Sequence, residues 1–77
     1  MARDGVRRFY AAVDRVPPAA RIAFTLYELD GRSVAEVAGL TDVSVTATKV
    51  RIWRARRALK REAAGDPVLA DFLREES

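Results

Sequence analysis

Residues 49–61 read KVRIWRARRALKR: seven cations (Lys49, Arg51, Arg54, Arg56, Arg57, Lys60 and Arg61), the indole of Trp53, and no acid. Like charges at i, i+4 destabilise a helix, so a run this dense points to an external polyanion that offsets the repulsion. Other chemistry is narrowly bounded. The chain has no cysteine and no histidine, which excludes disulfides, thiolate chemistry, the commonest zinc sites and any Ser-His-Asp or Cys-His arrangement. Carboxylate pairs such as Asp14 with Glu28, or Asp66 with Asp71, are what capped helices carry, and no nucleophile–base or metal-ligand spacing accompanies them. The expected activity is binding rather than catalysis, with no metal, no cofactor and no small-molecule substrate.

The charge is unevenly placed. Over 77 residues the formal net charge is +3, yet residues 43–61 are a basic block, while residues 62–77 set Glu62, Asp66, Asp71, Glu75 and Glu76 against Arg74 alone. No apolar run approaches the ~20 residues of a membrane span, and MARDGVRR carries no signal-peptide core. A cytoplasmic protein without membrane insertion is expected. The length suits one domain near the lower limit for folding on its own core.

Glycine and proline divide the chain into helices that must position the basic run. Residues 6–15 place Val6, Phe9, Tyr10 and Val13 at helical spacing. Pro17 and Pro18 end that segment and open the next, where a missing N–H costs nothing. Over residues 19–29 an apolar stripe of Ile22, Ala23, Leu26 and Leu29 is broadened by Phe24 and Tyr27, and Asp30-Gly31 is a stop and turn. Ser33 with Glu36 is a capping box for a helix of roughly two turns bearing Val34, Val37, Ala38 and Leu40. After the polar turn 41–44, Ser44 caps a long helix over 45–64. Gly65 ends it, and Asp66-Pro67 starts a last short helix over about 66–76. The fold class expected is all-α, a small bundle of four to five helices. Its short helix, tight turn and long helix form a helix-turn-helix unit.

A helical wheel decides which way the basic run faces. At 100° per residue, Val45, Thr48, Ile52, Ala55 and Leu59 share a sector of roughly 80° and must face the bundle. The opposite face carries Thr46, Val50, Trp53, Arg54, Arg57 and Arg61, with Lys49 and Lys60 on one flank and Arg51 on the other. A tryptophan usually belongs to a core, but here the core sector is complete without Trp53. An exposed indole among guanidiniums can stack on them and can contact sugars, thymine methyls or base edges in a groove. The small first turn, Val45-Thr46-Ala47, suits a helix entering the major groove, and its N–H groups and dipole favour a phosphate.

In this order the features resemble region 4 of bacterial RNA polymerase sigma factors, especially the extracytoplasmic-function (ECF) group. The matching pieces are Val16-Pro17-Pro18, Asp30-Gly31-Arg32-Ser33, Glu36-Val37-Ala38, Ser44-Val45, Lys49 with Arg51, and Arg54-Ala55-Arg56 with Leu59, over about residues 11–62 of a single 1–77 domain. Thr46-Ala47-Thr48 departs from the usual Gly-Thr-Val, and Thr41 replaces a common leucine. A hydroxyl therefore falls on the core stripe at Thr48, where it can bond back to the Ser44 carbonyl. The resemblance implies binding of double-stranded promoter DNA at the −35 element, docking on the β-flap of the RNA polymerase core, and an anti-sigma factor as a further partner. By position it assigns groove contacts to Lys49, Val50, Trp53 and Arg54, and backbone contacts to Ser44, Thr46, Ala47, Arg51, Arg57 and Arg61. Region 2, which melts the −10 element, does not fit in 77 residues, so an excised C-terminal domain is expected.

Two other readings compete. One is a stand-alone helix-turn-helix regulator, such as a response-regulator output domain, though these usually lack the Pro-Pro pair and the Arg-Ala-Arg run. The other is a module acting mainly through protein partners. The tail bears on the second: Val68, Leu69, Phe72 and Leu73 share one face of a helix too short to stand alone. They either fold back to supplement a small core, the favoured expectation, or form a partner-docking patch.

Overall fold

A computed structural model describes residues 2–76, with side chains from 3 to 74. Met1, Ser77 and the side chains of Ala2, Glu75 and Glu76, the last two counted above among the acids of the tail, lie outside the described residues. Among these residues there is no strand, and five helices follow in order: α1 (Ala2–Asp14), α2 (Pro18–Phe24), α3 (Val34–Thr41), α4 (Val45–Ala64) and α5 (Pro67–Glu76). This is the expected all-α bundle. Among the described residues no helix is long and apolar enough to cross a membrane.

Helix α1 starts earlier than the apolar spacing indicated, because Gly5 lies inside it. Gly5 is buried, and a Cβ built there would lie 2.9 Å from Phe72 Cδ1. Glycine costs a helix about 1 kcal/mol against alanine, and here it permits α5 to approach. The buried stripe of α1 is Phe9, Ala12 and Val13, continued by Val16. Val6 and Tyr10, expected on the core face, are exposed, since closely approaching small residues take the interior positions instead.

The same correction applies to α2. Pro18 occupies its first turn as expected, but the interior face is Ala20, Ala23 and Phe24, while Ile22 and Leu29 are exposed. Alanines let α2 lie close against α4, and a side-chain pattern weighted toward large residues misplaces such a stripe. Beyond Phe24 the backbone widens into a π turn, Thr25–Leu29, closed by the Asp30 N–H on the Thr25 carbonyl at 3.0 Å. The extra residue in the turn carries Leu29 off the core line. Gly31 then takes φ 73°, a left-handed stop that favours glycine, and the Arg32 N–H bonds the Leu26 carbonyl at 3.1 Å.

Helix α4 joins two apolar clusters. Ile52 packs with Ala23 and Val37, flanked by Leu26, Tyr27 and Val34. Ala55 and Leu59 pack with Phe9, Val13, Val16, Ala20, Phe24 and Leu69. Thr48 is fully buried, so four of the five wheel positions face inward. Val45 is exposed, because it is the first residue of the helix and projects past the end of the packed surface. Leu40, near the end of α3, is exposed as well.

The tail folds onto the domain. Leu69 is 1% exposed, and Phe72 and Leu73 pack against the same cluster, with the Phe72 ring 5.5 Å from that of Phe9. Val68 stays partly exposed. Asp66 caps α5 by accepting the Leu69 N–H at 3.2 Å and ties it to α1 through Arg8 at 3.1 Å. Removing residues 66–77 is expected to cost about 3–9 kcal/mol in chemical denaturation, the scale of two or three large apolar side chains at about 1.5–3 kcal/mol each. An unchanged midpoint in the shortened chain would place α5 outside the core.

Candidate nucleic-acid interface

Two caps and a left-handed turn hold α3 against α4. Ser33 Oγ accepts the Glu36 N–H at 3.1 Å, and Glu36 Oε1 accepts the Ser33 N–H at 2.9 Å, the reciprocal box expected from these residue types. At the other end Asp42 takes φ 56°, a region Asp tolerates better than most residues. The Asp42 and Val43 N–H groups both go to the Ala38 carbonyl, the latter at 3.1 Å, while the Thr41 hydroxyl donates to the Val37 carbonyl at 2.7 Å. The helix-turn-helix is thus closed by local backbone bonds.

Ser44 opens α4. Its Oγ accepts the Ala47 N–H at 3.0 Å, and its carbonyl accepts both the Thr48 N–H at 3.0 Å and the Thr48 hydroxyl at 2.9 Å. The hydroxyl on the core stripe is therefore satisfied within its own helix. Ala47 is half-buried with its N–H engaged, so the Val45 and Thr46 N–H groups are the ones that remain at this helix start for a ligand.

On the outward face Thr46, Lys49, Val50, Arg54, Arg57 and Arg61 are exposed, and Arg51 is half-buried at the flank. Trp53 is 56% exposed. The Arg57 guanidinium lies 5.2 Å from the centre of the Trp53 ring, one turn along the same face. None of these cations meets an acid among the described residues.

Not every member of the basic run is free. Arg56 pairs with Glu28 and lies 5.6 Å from the centre of the Tyr27 ring. The carboxylate hydrogen bond is the main reason its pKa is raised further. Glu28 is exposed on the π turn, 28 residues away in sequence, and no local spacing signals this partner. Beside this pair, Val6, Tyr10, Leu29, Phe72 and Leu73 line an apolar groove of ≈ 720 Å³ rimmed by Glu28, Arg56 and Lys60. It opens away from Val50 and Trp53, since Leu59 in its wall lies opposite Val50 on the α4 wheel. Among the described residues no His, Cys, Asp or Glu cluster could hold a metal ion.

A short capped helix, a tight turn and a long helix with an unpaired cationic outer face define a helix-turn-helix domain of the DNA-binding class. The family model for sigma-70 region 4 matches residues 7–59, and the chain belongs to that family. Over 50 residues it is 40% identical to proteins named ECF RNA polymerase sigma-E factor from Escherichia coli K12, Salmonella typhimurium LT2 and Shigella flexneri. That match covers 65% of this chain and 26% of each relative, so the chain spans about a quarter of their length. This agrees with region 4 of an ECF sigma factor, which is not an enzyme family. No solved structure matches the chain.

The capping box makes the support that α3 gives α4 sensitive to acid. The Glu36 carboxyl is held below its ordinary 4.5, first by the Ser33 N–H and then by the Ser33 hydroxyl. A depressed folded pKa contributes stability above the unfolded value and loses it as pH falls through the folded one. Thermal midpoints are thus expected to be flat from about pH 7 to about pH 5 and to fall below that. Glu36→Gln should soften this acid limb. An acid limb of the same depth in the variant would remove Glu36 from the cause.

Proposed function

We propose that this chain acts as the region 4 domain of an alternative sigma factor, laying α4 in the major groove of the promoter −35 element during transcription initiation. The observation that carries the reading is the outward face of α4: four exposed, acid-free cations (Lys49, Arg54, Arg57 and Arg61) around an exposed indole. Lys49, Val50, Trp53 and Arg54 contact base edges. Ser44, Thr46, Ala47, Arg51, Arg57 and Arg61 lie along the phosphates, with Ala47 contributing surface rather than its N–H. Residues 1–77 work as one helix-turn-helix domain, in the cytoplasm, with no cofactor and no catalysis.

A partner reading runs alongside this one and has its own support. The apolar groove between α1, the π turn, α4 and α5 leaves Val6, Tyr10 and Leu29 in solvent, on a face that DNA bound to α4 leaves free. The RNA polymerase β-flap or an anti-sigma factor docks there. Val68 and the outer edges of Phe72 and Leu73 contribute to the contact, while Leu69 acts from the core.

Binding to a duplex pool tests the first reading. With about five to six phosphates neutralised, the log–log salt slope is expected near −5. A slope near zero would mean a merely solvated face. Arg61→Ala should weaken all sequences about equally, as phosphate contacts do. By contrast, Lys49→Ala or Arg54→Ala should cost about 1–3 kcal/mol on the preferred site and flatten preference at one or two base pairs. Equal losses on preferred and random duplexes would take those two residues off the base-reading face.

A further inference from the structure

The outward face of α4 is not uniformly basic. Thr46, Val50 and Trp53 form one stripe at i, i+4, i+7, with Val50 40% and Trp53 56% exposed. Lys49 borders it on one side and Arg54 on the other. Below it Arg57 falls on the same line, stacked over the indole at 5.2 Å. A surface meant only for phosphate has no use for a branched aliphatic side chain, which offers neither charge nor a donor. Val50 is not held for the core either, because the inward stripe of α4 is filled by Thr48, Ile52, Ala55 and Leu59. Among the base-edge features of the major groove one is apolar: the C5 methyl of thymine.

We propose that the Thr46–Val50–Trp53 stripe reads thymine methyls, with Arg57 as the positioning residue that holds the indole plane. The inference rests on α4 lying in the major groove, as proposed above. Lys49 and Arg54 fix the register on either side, and the stripe then favours thymine over cytosine. Cytosine has no methyl, and against Val50 and Trp53 its N4 donor would meet no acceptor. The stacked guanidinium keeps outward-facing N–H groups, so Arg57 can brace the ring and still meet a phosphate.

Deoxyuridine tests this directly, because it deletes the methyl and keeps every hydrogen-bonding group of thymine. The chain is first used to select a preferred duplex from a randomised pool. Each thymine of that duplex is then replaced singly by deoxyuridine. At one or two positions wild-type affinity is expected to fall about three- to five-fold, the transfer value of one buried methyl. The Val50→Ala/Trp53→Ala double variant should bind more weakly and no longer distinguish the two duplexes. Arg57→Ala should weaken both and shrink the ratio between them, with an unchanged thermal midpoint. Wild-type affinity indifferent to deoxyuridine at every position would overturn the inference, as would an equal ratio in the double variant. Failure to bind or enrich any duplex would instead overturn the DNA reading on which it rests.

Discussion

Burial of one narrow stripe on α4 sets the geometry of everything around it. Helix α4 packs against all four other helices, and Thr48, Ile52, Ala55 and Leu59 are the residues it buries. A turn of this helix by a single residue, about 100°, would put Lys49, Trp53, Arg56 and Lys60 in their place. Each buried cation would then cost several kcal/mol, while the apolar side chains would lose about 1.5–3 kcal/mol apiece. The azimuth is therefore fixed from both sides, and the exposure of Trp53 follows from it. The caps act on the same constraint from the ends: Ser44 fixes where α4 begins, and Asp42 fixes its approach from α3.

Tertiary contacts then sort the charges that the sequence lumps together. Arg56 is neutralised by Glu28, Arg15 by Glu62 at 2.6 Å, and Arg8 by Asp66 and Asp4. Exposed pairs of this kind contribute at most about 1 kcal/mol each. Their larger effect is to quiet the sides and rear of the molecule. Most of the positive charge without an acid partner is left on the outward face of α4, where repulsion between neighbours is relieved when a polyanion binds. Acidic residues late in the chain belong to this sorting: Glu62 and Asp66 brace α1 instead of extending a free acidic tail.

What could be read from the sequence is what local chemistry determines. Ser33 with Glu36, Ser44, Pro18 and Gly31 mark helix limits through bonds made within a few residues, and α4 shows its faces because large apolar and charged residues alternate cleanly on it. Helices α1 and α2 hide theirs. Their inward faces depend on Gly5, Ala12, Ala20 and Ala23, whose burial reflects how near another helix comes, a property of the assembled bundle. For the same reason Val6, Tyr10, Ile22 and Leu29 look like core residues and are not. The Glu28–Arg56 pair joins segments 28 residues apart, while the π turn and the left-handed Asp42 are local geometries that no residue type in them announces. The indole's exposure and its capacity to stack on a guanidinium were legible, whereas the choice of Arg57 among its neighbours follows from the folded geometry.

The central claim is that the outward face of α4, with its indole, is the DNA-contacting surface. Trp53 is the only tryptophan in the chain, so its fluorescence reports on that face alone. In the free protein acrylamide should quench it readily and the emission should lie toward the red, as for an indole in water. Adding duplex DNA should shield Trp53 from acrylamide, and raising the salt should restore quenching in step with dissociation. Quenching that stays unchanged at saturating duplex would contradict the account, as would an indole already shielded in the free protein.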